Sequence, residues 1–228
     1  MQSYKKITPY LFLFPAILLL TIFFFLPFFQ TIIYSFQDYS NDIYNPVFGT
    51  LLNYKTLYNS PIFIKSLVNT FYFLILTTPF LVVFFLFLAI LINQKIKGKT
   101  FYKLIIYLPV VVSIVVVAIA FKWLYAPNGL LNYFMETFNL PHINWLSSPR
   151  VAMISVTLVT IFKGVGYYMM IYLASLMSVP KELYEAAEID GANEFQKHMT
   201  VTIPHLMPTI ALVSTISAIS ALKVFVEI

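Results

Sequence analysis

Acidic residues and histidines are few in this chain, and half of them stand in one place. His142, His198 and His205 are the only histidines, and the charge pattern below puts His142 on the opposite side of a membrane from the other two, so they do not make a metal-ligand set. There is no cysteine, hence no thiolate site and no disulfide framework. A phosphate loop of the G-x-x-x-x-G-K-[ST] type is absent, so ATP hydrolysis by that route is not expected of this chain. What remains is an acidic passage. Five of the nine Asp and Glu residues, Glu182, Glu185, Glu188, Asp190 and Glu194, fall between Glu182 and Pro204. Glu182, Glu185 and Glu188 recur at helical spacing as a stripe separate from the apolar Leu183, Ala186 and Ala187. Such a surface can meet basic residues on a partner or serve as a solvated connector.

The elements that must hold this passage are apolar. Hydrophobic residues make up 60% of the 228 and charged residues 10%, against about 45–50% and about 25% in soluble domains. Charge-poor runs long enough to cross about 30 Å of hydrocarbon predict an all-α, polytopic membrane protein, a single transmembrane domain with five spans near residues 10–34, 67–93, 104–125, 151–177 and 206–228. The first run is too long for a secretory leader and lacks a small-residue cleavage pattern. Lys5 and Lys6, then Lys95, Lys97, Lys99 and Lys103, then Lys181 and Lys197 fall in alternate segments, which puts the N-terminus and the acidic passage in the cytoplasm. The outer loops carry Asn45-Pro46 with Gly49, and Pro127-Asn128-Gly129, and are expected to hold short interfacial helices.

Within the passage, a hairpin is expected over residues 180–204. Pro180 suits a first helical turn and Ser178 can cap it. Gly191 breaks the run, and a second short helix from Ala192 to about Thr200 offers Phe195 and Met199 at i, i+4, with Glu194 near its first amides and Pro204 leading back to the bilayer.

Glu185-Ala186-Ala187, three residues, Gly191, nine residues, then Val201-Thr202-Ile203-Pro204 resembles the EAA signature of permease subunits in binding-protein-dependent ABC importers. That signature reads EAA, three residues, Gly, nine residues, Ile-x-Leu-Pro; Val201 and Ile203 are conservative departures. LMSVPKELYEAAEIDGA, NYKTLYNSPIFIKSLVNTFYF, LIIYLPVVVSIVVVAIAFKWLY and FKGVGYYMMIYLASL are similar to the carbohydrate-uptake branch, and the likeness is to the maltose-permease-like first partner of a two-permease pair. It implies the type I importer permease fold in a bacterial inner membrane, lacking the family's last helix, so that the chain reads as C-terminally truncated.

The resemblance further implies a non-enzymatic subunit that passes a sugar delivered by an extracellular solute-binding protein. A second permease would complete the pathway, and a separate ABC ATPase dimer would hold ATP and Mg²⁺. It assigns ATPase coupling to Glu185, Ala186, Ala187, Asp190, Gly191, Phe195 and Pro204. The substrate path it places at Gly164, Tyr167, Ser217, Ser220, Ala221 and Val224, where Tyr167 can stack on a sugar face and the serines can meet hydroxyls or simply pack helices. Several positions that are polar in the maltose-type site are Ala or Val here. Lys163 is an intramembrane charge beside Gly164 and Gly166, with either a path role or a structural one. Another polar solute, such as a glycerol phosphodiester or a polyol, is the alternative cargo; an integral membrane enzyme would need a polar cluster at membrane depth.

The topology is directly testable because the chain has no cysteine of its own. Single cysteines at Asn41 and Gln196 are expected to react with impermeant maleimide from outside and from inside respectively. Reversed labelling would sink the orientation and the coupling role together.

Overall fold

The computed structural model describes residues 8–39, 44, 46–94 and 96–223. The chain divides into two units, Met1–Leu67 and Val68–Ile228, taken in turn below.

The first unit opens with α1 (Thr8–Leu20), a π turn at Thr21–Phe25 and α2 (Leu26–Ser35), together one apolar segment with no buried residue. The π turn follows from Pro27. Proline lacks an N–H and its ring crowds the carbonyl four residues back, and the widened turn lets Leu26 donate to the Thr21 carbonyl instead. Beyond α2, β1 (Gln37–Asp38) pairs antiparallel with β2 (Val47–Phe48), a two-residue ladder inside an otherwise helical chain. α3 (Leu52–Tyr58) is a short helix of the expected kind. Its Asn53 donates to the carbonyls of Ser35 and Gln37 at 3.2 and 2.8 Å, and Tyr54 Oη lies 2.6 Å from Ser35 Oγ.

α4 (Pro61–Asn93) runs on into the second unit, where Phe73, Thr77, Leu81, Phe85, Ala89 and Ile92 form one buried stripe at near-four-residue spacing. α5 (Lys99–Val111) and α6 (Ile114–Leu124) follow, then α7 (Leu130–Thr137) and α8 (Pro149–Leu176). α9 (Lys181–Ile189) and α10 (Glu194–Lys197) make the hairpin, and a π turn at His198–Thr202 leads into α11 (Ile203–Leu222). The core is the meeting of α4, α8 and α11: Leu81 and Phe85 with Met169, Tyr172 and Leu173, closed by Leu206 and Val213. Thr209 Oγ1 donates to Ser175 Oγ at 2.8 Å and fastens α11 to α8.

Four segments among the described residues are long and apolar enough to span a membrane: Thr8–Ser35, Pro61–Asn93, Val151–Leu176 and Glu194–Leu222. The fifth expected span, 104–125, is not one straight helix. α5 and α6 meet at 96°, because Val112 and Ser113 take extended backbone, with ψ of 138° and 141°. Residues 224–228, at the end of the last expected span, lie outside the described residues.

After α6, Asn132 organises the loop. Buried in α7, it donates to the carbonyls of Ala126, Pro127 and Ile143 and accepts from the Ile143 amide and the Trp145 indole. Gly129 is required there, since a Cβ would come within 2.5 Å of the Trp123 carbonyl oxygen.

Two glycines of α8 differ in what they allow. A Cβ on Gly166 would sit 2.6 Å from the Ile106 carbonyl oxygen and 2.7 Å from Tyr107 Cα, so α5 packs backbone to backbone on this turn. On Gly164 it would meet only side chains, the Tyr168 ring at 3.1 Å and Leu81 at 3.6 Å. Gly166→Ala is therefore expected to destabilise by about 1–3 kcal/mol through overpacking. Gly164→Ala should stay within about 1 kcal/mol because the helix-propensity gain offsets the crowding. Unfolding midpoints of the detergent-purified protein check the order; equal midpoints would refute the close-approach account.

Candidate functional site

The acidic passage folds as a rigid two-helix knob. α9 ends on Asp190, and Gly191 takes φ of +80°, the left-handed conformation that glycine adopts without a steric penalty. Two bonds close this turn: Gly191 N–H to the Glu188 carbonyl at 3.0 Å and Ala192 N–H to the Ala187 carbonyl at 2.9 Å. α10 opens on Asn193. Its side chain accepts from the Gln196 amide at 2.9 Å while the Gln196 side chain accepts from the Asn193 amide at 2.8 Å. This reciprocal cap corrects two expectations. Glu194 does not cap the second helix, and Ser178 does not cap the first, since its hydroxyl donates to the Ser175 carbonyl instead.

Contacts between the two arms fix the knob's shape. Lys197, 8% exposed, donates to Glu188 Oε2 at 3.1 Å and Glu194 Oε1 at 3.0 Å. Below them Thr202, fully buried, has its hydroxyl 2.8 Å from Tyr184 Oη and 3.0 Å from His198 Nδ1. A cleft of about 380 Å³ lies against this side, lined by Ile90, Asn93, Gln94, Leu176, Tyr184 and the hairpin's Glu194, Lys197 and His198.

The inward side of α9 is thus Tyr184, Ala187 and, through Lys197, Glu188. The expected apolar face of Leu183 and Ala186 points outward instead. Glu188 is consumed within the knob. Glu185 is exposed and makes no hydrogen bond or ion pair with any described residue. Around it the knob exposes Leu183, Ile189 and Phe195, at 45%, 86% and 68%. The exposed Ile189 and the Tyr184–Thr202–Lys197 interior are features of the knob that helical spacing alone did not single out.

The second arm does not end near Thr200 as expected. Glu194–Leu222 is one helical segment, and Pro204 sits in the first turn of α11 just after a π turn in which Ile203 donates to the His198 carbonyl. The arrangement repeats that at Pro27: a proline cannot take its regular bond, and a wide turn absorbs the loss.

The sequence-assigned path residues are spread over different environments. Tyr167 is 44% exposed, edge-on to Tyr168 at 5.2 Å, and Gly164 is half-buried. On α11, Ser220 is exposed, while Ser217 and Ala221 are buried, and Ser217 Oγ donates to the Ser214 carbonyl at 3.1 Å. Ser217 is thereby a packing residue on the buried face of α11, and Val224 lies outside the described residues. Lys163 is occupied as well, donating to the carbonyls of Pro109 at 2.9 Å and Val110 at 3.0 Å and to that of Val112.

This geometry has known relatives. The family model of the binding-protein-dependent transport system inner membrane component matches residues 46–228. The chain is 35% identical over 234 residues to the probable ABC transporter permease protein YurN of Bacillus subtilis, covering all of this chain and 79% of that one. To the arabinooligosaccharides transport system permease protein AraP of the same organism it is 34% identical, over 98% of this chain and 71% of that protein. Among solved structures, a bacterial ABC transporter that imports the acidic polysaccharide alginate contains a chain matching at a TM-score of 0.83 and 28% identity, over 96% of this chain and 75% of that one. The same alginate transporter in complex with a pentasaccharide-bound periplasmic protein matches at 0.81.

The two clamps inside the hairpin are expected to differ in strength. The partners of Lys197 are 72% and 82% exposed, so Lys197→Met should cost little and leave amide exchange in the hairpin nearly unchanged. Thr202→Val removes a buried hydroxyl with two partners and should cost about 1–1.5 kcal/mol, accelerating amide exchange across residues 184–190 roughly tenfold. Exchange rates in the two variants decide it, and faster exchange in Lys197→Met would reverse the ranking.

Proposed function

Because the chain belongs to the binding-protein-dependent transport system inner membrane component family, and is therefore a multi-pass, non-catalytic permease subunit of an ABC importer, we propose that it carries a carbohydrate into the cell and is driven through the 180–204 hairpin. The observation that carries the coupling half is the knob itself. It presents an unpaired Glu185 carboxylate amid exposed Leu183, Ile189 and Phe195, on a turn locked by Gly191. That is a surface suited to a groove with apolar walls and a basic residue, which a separate ATPase dimer would supply along with ATP and Mg²⁺. The cytoplasmic side for this knob, and for the N-terminus, is supported by the lysine distribution.

The cargo half rests on relatives named for arabinooligosaccharides, lactose and multiple sugars, and on the alginate transporter. Tyr167 and Ser220, the exposed members of the assigned path, supply a ring face and a hydroxyl of the kinds that sugars use. A second permease would form the other wall of the path, and an extracellular solute-binding protein would deliver the sugar. The long apolar segment Thr8–Ser35, with no buried residue, leaves ample surface for lipid or such a partner.

In proteoliposomes holding the assembled transporter and its binding protein, radiolabelled oligosaccharide uptake is expected to require ATP. Gly191→Val strains a positive φ by about 1–3 kcal/mol. No atom stands within 4 Å of the added Cβ, so its effect should stay confined to the knob. Gly191→Val and Glu185→Lys should keep expression and permease pairing but lose ATPase docking or solute-stimulated hydrolysis. Wild-type uptake in both would reduce the hairpin to a solvated connector, and uptake of a polyol or glycerol phosphodiester in place of the sugar would replace the cargo.

A further inference from the structure

Lys163 lies midway along the apolar segment Val151–Leu176, where a charge needs a reason. Its reason is the elbow between α5 and α6. The end of α5 leaves its last carbonyls without intrahelical partners, and hydrocarbon offers no water to take their place. Lys163 donates to three of them, those of Pro109, Val110 and Val112. An ammonium has three N–H donors, so all are spoken for and none is left for a solute hydroxyl. The positive charge also faces the negative end of the α5 dipole, which offsets part of the cost of holding it there. Three residues on, Gly166 brings the α8 backbone against Ile106 and Tyr107. Over one turn, α8 therefore grips α5 by charge and by close packing, with Gly164 and Tyr167 on the same turn.

The gripping helix is the one that leads into the hairpin. From Lys163 to the end of α8 at Leu176 is about 20 Å of continuous helix, and there Thr209 bonds Ser175 and ties α8 to α11, the hairpin's other arm. We propose that Lys163 is a positioning residue for solute translocation: its three donors fasten the α5–α6 elbow to α8, so that the elbow travels with the helix that carries the hairpin. This rests on the hairpin's being the point where the ATPase acts.

The test uses the assembled transporter with its binding protein in proteoliposomes. Lys163→Met keeps the length of the side chain and removes every donor. It is expected to lower maximal uptake about tenfold, within the usual range of coupling energies, and to raise the ATP hydrolysed per solute moved. The concentration of loaded binding protein giving half-maximal uptake should stay within about twofold. Lys163→Arg, with five donors, should recover uptake to within about threefold. Spin labels at Ile119 on α6 and Leu158 on α8, both exposed, should give a broader distance distribution in Lys163→Met than in the wild type and a recovered one in Lys163→Arg.

If Lys163→Met does not assemble, Lys163→Gln, with two donors, is read in its place and should fall between wild type and a tenfold loss. Wild-type maximal uptake in the variant read, or a change confined to half-saturation or solute preference, would overturn the proposal. Gly191→Val, measured in parallel, separates the two readings. If it abolishes uptake while Lys163→Met is normal, the elbow tether alone fails; if it transports normally, the hairpin reading fails.

Discussion

A backbone carbonyl in hydrocarbon has no water to turn to, and each irregularity of this chain is built around that constraint. A regular helix meets it unaided, and α4 does so over most of Pro61–Asn93, Pro79 leaving one carbonyl without its regular donor. Wherever the helix breaks, freed groups need a substitute. At the α5–α6 elbow it is an ammonium from another helix; at Pro27 and Pro204 it is a π turn that moves the bond by one residue. The loop after α6, outside the spans but closed to water around Asn132, uses the same device, with three carbonyls on the amide nitrogen and two donors on its oxygen. The side chains at these points are few and polar, and the surrounding apolar residues are numerous and interchangeable by comparison. An apolar stripe such as Phe73 to Ile92 tolerates a change of one methylene at modest cost, whereas an orphaned carbonyl at membrane depth costs several kcal/mol.

The same economy of polar contacts explains why the knob can be both small and stiff. Isolated helices of nine and four residues are not stable in water. Here α9 is closed by the Gly191 turn, α10 is opened by the Asn193–Gln196 box, and Lys197 and Thr202 join the arms. Glu188, though exposed, is paired with Lys197, which leaves Glu185, with Glu182 and Asp190, as the carboxylates on offer to a partner. A fixed shape with exposed charges can be recognised, where a flexible acidic loop would first have to be ordered.

Much of this architecture is legible in the sequence. Apolar runs locate four of the five spans, because length and hydropathy are properties of one segment at a time. Gly191 can be read as a break because glycine there marks the only residue type at home at φ of +80°. The elbow is not legible. Pro109 and Ser113 hint at it, but helices hold prolines elsewhere in this chain, as at Pro79, and it takes Lys163, fifty residues later, to stabilise the break. Lys197 belongs with Lys163 in this respect: a lysine in a loop reads as topology until its two carboxylates are seen. The path residues were the least legible. Side chains carried over by register say which turn they occupy and nothing of whether the turn faces inward, so Ser217 proved buried and Ser220 exposed.

The hairpin's two arms join the membrane helices differently, and the difference bears on how a push on the knob is transmitted. Between α8 and α9 the helix is interrupted at Val179 and an extended Pro180, with ψ of 135°. The second arm has no such joint, since α10, the π turn and α11 are one helical segment. On the proposed coupling role, a displacement of the knob would be carried along α11, and α8 is tied to it through Ser175–Thr209 and the shared core of Met169, Leu173 and Val213. The π turn is the softest point on the direct route, because its bonds span five residues and it adjoins a proline without a donor. Thr202, whose buried hydroxyl lies against Tyr184 of the first arm and His198 of the turn, ties that turn to α9.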